Sequence, residues 1–100
     1  MKAFAVLKTD QAPRHLNAMC HHFGRSVEAT CNKSYAQIVF AFGRCDLTAS
    51  KDRLELCAEA DDQSYLDQVV EVMSRHVERF AFRENPNLEW RPASSVPPSQ

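Results

Sequence analysis

Residues 2–8 alternate along the chain, with Phe4 and Val6 on one side and Ala5 and Leu7 on the other. That period of two is the signature of a strand, and because both sets are apolar the strand is expected to be covered on one side and partly on the second. Thr9 or Asp10 then offers an oxygen for a helix N-cap, and Pro13 stands where a first-turn proline is tolerated. Leu16, Met19, Cys20 and Phe23 recur at i, i+3, i+4 and i+7, which predicts a helix ending at Gly24.

From Ser26 to Ala60 the period returns to two. Val27, Ala29 and Cys31 alternate, followed by Ile38, Phe40 and Phe42, then Cys45, Leu47 and Ala49, then Leu54, Leu56 and Ala58. The linking segments, at residues 32–34, 43–44 and 50–52, are too short for the crossover that a parallel return needs, so the four strands are expected to form an antiparallel meander. Asp61 and Asp62 then open a longer helix, with Leu66, Val69, Val70, Met73, Val77 and Phe80 on one stripe and Asp67, Glu71, Arg75 and Glu78 opposite. Arg75, Arg79 and Arg83 suit the negative end of that helix. A final short strand is expected at Leu88-Glu89-Trp90.

This order predicts an α+β fold, β-α-β-β-β-β-α-β, with an antiparallel sheet of five to six strands and both helices on one face. That order resembles the TATA-box-binding-protein-like architecture, an analogy of fold and not of function. Residues 1–91 are expected to form one domain. Residues 92–100, rich in Pro and Ser with little to bury, are expected to be a disordered tail.

Composition narrows the function classes. One hundred residues with 44% hydrophobic and 25% charged side chains suit one globular core. Twelve basic and thirteen acidic side chains leave a net charge of -1, without the positive field that nucleic acid or an anionic membrane selects. The short apolar run at the start is neither a signal peptide nor a spanning segment, so a cytoplasmic location is expected. Cys20, Cys31, Cys45 and Cys57 stand far apart with no C-x-x-C pair, and are expected to be free, structural thiols.

No glycine-rich phosphate loop, G-x-S-x-G or H-E-x-x-H occurs, so a binding role is expected rather than catalysis, with no catalytic residue, resident cofactor or metal assigned. In Cys20-His21-His22-Phe23-Gly24 three ligand types stand in a row, but successive helical residues point about 100 degrees apart. Cys20 joins the apolar stripe, His21 faces water and His22 lies on the flank. His15 shares that flank, though roughly 10 Å away along the axis. His76 lies on the flank of the second helix, so the two helices could bring His22 and His76 together. If they converge, Cys20, His22 and His76 could hold a transition metal or haem iron. The alternation Arg79-Phe80-Ala81-Phe82-Arg83 could stack a planar ligand.

The segments Ala12-Pro13-Arg14-His15-Leu16, Met19 to Gly24, Gly43-Arg44-Cys45-Asp46-Leu47, His76 to Glu84 and Leu88-Glu89-Trp90 resemble a bacterial family, domain of unknown function 2218. The resemblance runs from about Ala3 to Arg91. It implies an indirect link to iron acquisition, since similar domains occur near or joined to flavin-dependent siderophore-interacting proteins. The family's motifs fall on His22, Phe23, Gly24, His76, Arg79, Phe80, Phe82, Arg83 and Glu84, of which His22, Phe23, His76, Arg79, Phe82 and Arg83 are taken as ligand-binding candidates. The implied partners are a siderophore-interacting reductase acting in trans or a small ligand. A homodimer formed through sheet edges is a further reading.

Overall fold

The structure, a computed structural model, describes residues 1–81 and 88–92. Its elements follow the expected order: β1 (Lys2–Lys8), α1 (Ala12–Phe23), β2 (Glu28–Cys31), β3 (Tyr35–Phe40), β4 (Gly43–Ala49), β5 (Arg53–Glu59), α2 (Gln63–Phe80) and β6 (Arg91–Pro92). The six strands form one sheet in the order β2-β3-β4-β5-β1-β6, and every neighbouring pair is antiparallel. The first strand therefore enters the sheet beyond the end of the meander, with Lys2 opposite Glu59 and Lys8 opposite Arg53.

Both helices lie on one face. α1 covers β2 to β5, α2 covers β4, β5 and β1, and the two helices touch each other. The inward positions of each strand follow the pleat: Ala3, Ala5 and Leu7; Ala36, Ile38 and Phe40; Cys45 and Leu47; Leu54, Leu56 and Ala58. Leu16 and Met19 from α1 and Val69, Met73 and Val77 from α2 close over them, each no more than 1% exposed. Burying one such side chain removes enough apolar surface from water to be worth about 1.5–3 kcal/mol. On the other face Phe4, Val6 and Tyr35 are 43%, 45% and 39% exposed. The first strand is thus covered on one side only, with Ala3, Ala5 and Leu7 inward and Phe4 and Val6 facing away from the helices.

Turn chemistry sets the hairpins. Asn32 Oδ1 accepts hydrogen bonds from the Ser34 and Tyr35 amides, both at 2.9 Å, between β2 and β3, an Asx turn that fixes the register. Phe42, expected within β3, instead lies in the two-residue turn before β4. Val27 precedes β2, held in the turn after α1 by its amide bond to the Phe23 carbonyl at 2.9 Å.

The helix ends show how local chemistry competes. Asp62 caps α2 as expected, its carboxylate accepting from the Tyr65 amide at 2.8 Å. The cap of α1 is neither Thr9 nor Asp10 but Gln11, with no side-chain bond. Thr9 Oγ1 accepts from the Gln11 amide at 2.9 Å, so the hydroxyl closes a local turn one step before the helix and is spent there. Gly24 is the C-cap of α1 in a right-handed conformation, φ −61. A Cβ there would stand 3.1 Å from the Cys20 carbonyl and 3.9 Å from Ala29 Cβ, so close approach accounts for the glycine.

The last strand is displaced from its expected place. Leu88, Glu89 and Trp90 form no strand, and the ladder begins only at Arg91, with Pro92 opposite Ala3 and Arg91 opposite Phe4. Leu88 and Trp90 are turned into the core margin, and Trp90 Nε1 donates to Ser74 Oγ at 2.8 Å on α2. Side-chain docking therefore holds these residues out of the ladder. A proline joins the sheet here because β6 is an edge strand. Of the tail expected over residues 92–100, Pro92 instead pairs with Ala3 in the edge strand, and residues 93–100 lie outside those described. Among the described residues no helix is long and apolar enough to cross a membrane.

Candidate functional site

The last turn of α1 carries His22 and Phe23, and the last two turns of α2 carry His76, Arg79 and Phe80. Because the helices touch over the sheet, these turns meet. The His22 and His76 ring centroids are 4.9 Å apart, so the two rings that the helix flanks could bring together do converge. Phe23 stands 4.5 Å from His76 and meets Phe40 edge-on at 5.4 Å, and Phe80 lies 5.5 Å from His22. Phe42 stacks on Phe40 with centroids 5.1 Å apart and planes 7° from parallel. A continuous chain of ring contacts thus runs from the β3–β4 turn to the joined helix ends, with Phe23 and Phe40 buried within it.

His76 Nδ1 lies 2.7 Å from the Val72 carbonyl oxygen. A carbonyl can only accept, so Nδ1 carries the proton and, in the neutral ring, Nε2 keeps a free lone pair. His22 retains solvent access, yet desolvation by its packed neighbours lowers its pKa from the usual 6.5, and charge repulsion from His76, Arg25 and Arg79 lowers it further. A neutral His22 is a better lone-pair donor and hydrogen-bond partner at pH 7 than a free histidine would be.

Two imidazoles at this spacing can serve one ion from adjacent coordination positions. With metal–nitrogen bonds of about 2.0–2.1 Å, rings bound at a tetrahedral angle have centroids about 5 Å apart. Rings on opposite faces of a haem would stand about 6 Å apart with the macrocycle between them, so paired axial ligation does not fit this contact. Among the described residues no group of three or more His, Cys, Asp or Glu side chains could hold a metal. Cys20 does not join the histidines. It is 5% exposed within the core, and its thiol lies near Cys31 on β2.

Of the residues singled out in the sequence, His22, Phe23 and His76 come together, with Phe80 beside them. Arg79 is exposed in the last turn of α2, near enough for its charge to act on His22. Phe82, Arg83 and Glu84 lie outside the described residues. His15 is buried at 8% exposure, seven positions before His22 on α1, and His21 is exposed. Phe40, Phe42 and Arg25 are part of the surroundings that periodicity did not assign. Phe40 reads as an ordinary inward strand residue, and only the turn at residues 41–42 brings Phe42 back over it.

Among curated proteins no relative matches the chain. The NMR structure of PA4090 from Pseudomonas aeruginosa is similar over 92% of this chain and 96% of its own, with a TM-score of 0.79 and 26% identity. The family described as an uncharacterized protein conserved in bacteria, DUF2218, matches residues 4–91. The chain belongs to that family.

Proposed function

We propose that the chain is a non-catalytic binding module whose ligand site is the imidazole–aromatic cluster at the joined ends of α1 and α2. The observation that carries this reading is the 4.9 Å approach of His22 and His76, two side chains 54 positions apart in the sequence that meet where aromatic rings surround them. Arg25 and Arg79 add positive potential beside a neutral His22, which favours an anionic, planar guest through charge, cation–π contact and stacking. A ferric catecholate siderophore, an anionic chelate whose catechol rings are each planar, offers charge and flat rings to this site and agrees with the iron link that the family resemblance implies. A siderophore-interacting reductase would then be the partner that receives or reduces the chelate. Arg79 enters the site through its field at His22, while Phe82 and Arg83 enter it by their place in the motif alone.

The test is an amide NMR titration with a ferric catecholate siderophore, with the iron-free form as control. Shifts centred on His22, Phe23 and His76, and at least tenfold weaker binding by His76→Ala, are expected. Unchanged spectra would remove the siderophore reading. A second reading, two-imidazole binding of a divalent transition metal, is favoured by the Nδ1 contact to Val72, since histidine ligands commonly donate their other N–H to a carbonyl. Zinc should then shift the same residues without siderophore, and a flat zinc titration would exclude it.

A further inference from the structure

Cys20 and Cys31 are eleven positions apart and belong to different elements, yet the fold makes them neighbours. Cys20 lies on the sheet-facing stripe of α1. On β2, Ala29 pairs with Ile38 and Cys31 with Ala36. Directly paired residues share a face, and Ala36 and Ile38 are both fully buried beneath the helices. Cys31 therefore projects toward α1 from the outermost strand, where it is exposed while Cys20 is buried. The two thiols lie near enough for Cys31 to act on the ionisation of Cys20. The other two cysteines have no such relation, since Cys45 pairs with inward Ala58 while Cys57 pairs with Asp46 on the open face.

Beside Cys31 the surface opens into a hollow of about 680 Å³ lined by Pro13, Arg14, Asn17, Cys31, Asn32 and Lys33. Its two charged side chains are both cations. An anionic reagent small enough to enter is therefore drawn to the exposed thiol.

We propose that Cys31 is a thiolation site for an anionic low-molecular-weight disulfide, of the glutathione disulfide class, and that Cys20 resolves the adduct into a Cys20–Cys31 bridge. In the first step the Cys31 thiolate attacks one sulfur of the reagent. The new S–S bond forms as the reagent's S–S bond breaks, and one reagent thiolate leaves. In the second step the Cys20 thiolate attacks Cys31 Sγ and expels the other. Two protein thiols are oxidised, one small disulfide is reduced to two thiols, and the two protein protons pass to the departing thiolates. The order is set by access, because Cys20 cannot meet the reagent directly. Burial pushes the Cys20 thiol up, which slows closure and lets the mixed disulfide accumulate before the bridge. The bridge ties β2 to the turn of α1 that carries His22, so the pair is placed to couple thiol oxidation to the histidine cluster.

The test is intact-mass analysis and thiol mapping of the full chain incubated with glutathione disulfide. Wild type should pass through an adduct about 305 Da heavier and finish about 2 Da lighter, with Cys20 and Cys31 protected from alkylation. Cys20→Ser should stop at the adduct on Cys31, and Cys31→Ser should leave Cys20 unmodified. Amide spectra of the reduced variants check that each is folded. The proposal is overturned if Cys31 remains alkylatable in folded wild type, if Cys57 takes the reagent in its place, or if wild type stops at the adduct as Cys20→Ser does.

Discussion

At the scale of single residues, the depressed pKa of His22 makes acid a destabilising condition. In the unfolded chain an imidazole takes up its proton near pH 6.5, whereas folded His22 holds off until lower pH. Between those two values the unfolded state binds more protons. Stability is therefore intact above about pH 6.5 and falls as pH drops through it. Urea midpoints should decrease between about pH 7.5 and about pH 5.5, and His22→Gln should reduce that decrease. An unchanged pH slope in the variant would place the acid sensitivity elsewhere. Gly43 is a second position decided by one atom. A Cβ there would sit 2.5 Å from the Glu59 carbonyl oxygen and 2.8 Å from Val69 Cγ2, so Gly43→Ala must push the β3–β4 turn off its neighbours. A loss of about 1–3 kcal/mol in denaturant unfolding is expected.

At the scale of elements, α2 is held by a polar start and an apolar stripe. Asp62→Ala removes the only side-chain acceptor at its N-terminus among the described residues, and should cost about 1 kcal/mol. Met73→Ala empties a site that is 0% exposed, and should cost about 2–5 kcal/mol. Thermal or urea unfolding of the two variants would rank them. The reverse order would mean that the stripe collapses around the missing side chain. These elements were legible because Leu66 to Phe80 and Leu16 to Phe23 repeat at the helical period while the meander repeats at two, and a stripe of large residues identifies its own buried face. Element ends were less legible. Thr9 spends its hydroxyl on the Gln11 amide before the helix begins, and the side chains of Leu88 and Trp90 choose the core margin over the ladder, a tertiary choice that local spacing does not encode. The candidate site was half legible. Flank geometry brought His22 to His76, whereas Cys20 turned to Cys31, because the stripe that faces the sheet also faces its outer strand.

At the scale of the whole molecule, the sheet is one-sided. Leu54 and Leu56 lie beneath helices at 0% and 1% exposure, while Phe4, Val6 and Tyr35 stand on the far face. Around Cys57 they border a hollow of about 440 Å³ that also contains Asp46, Thr48 and Glu55. If that face is free in solution, replacing Phe4 and Val6 together by Thr should change stability by less than about 1 kcal/mol. Leu54→Ala should cost about 2–5 kcal/mol. A large loss in the double variant, together with a halved mass in sedimentation, would instead show that a second copy covers the face.

The hydrogen bond between Trp90 and Ser74 also supplies a built-in optical gauge. Trp90 is the only tryptophan of the chain, its indole is half-buried, and its N–H rests on α2 at 2.8 Å from Ser74 Oγ. Emission from this single indole reports whether the closing segment is seated on the second helix. A red shift that precedes the loss of far-ultraviolet ellipticity during denaturation would reveal that the segment lifts off before the sheet melts. Ser74→Ala would advance that shift without moving the main transition.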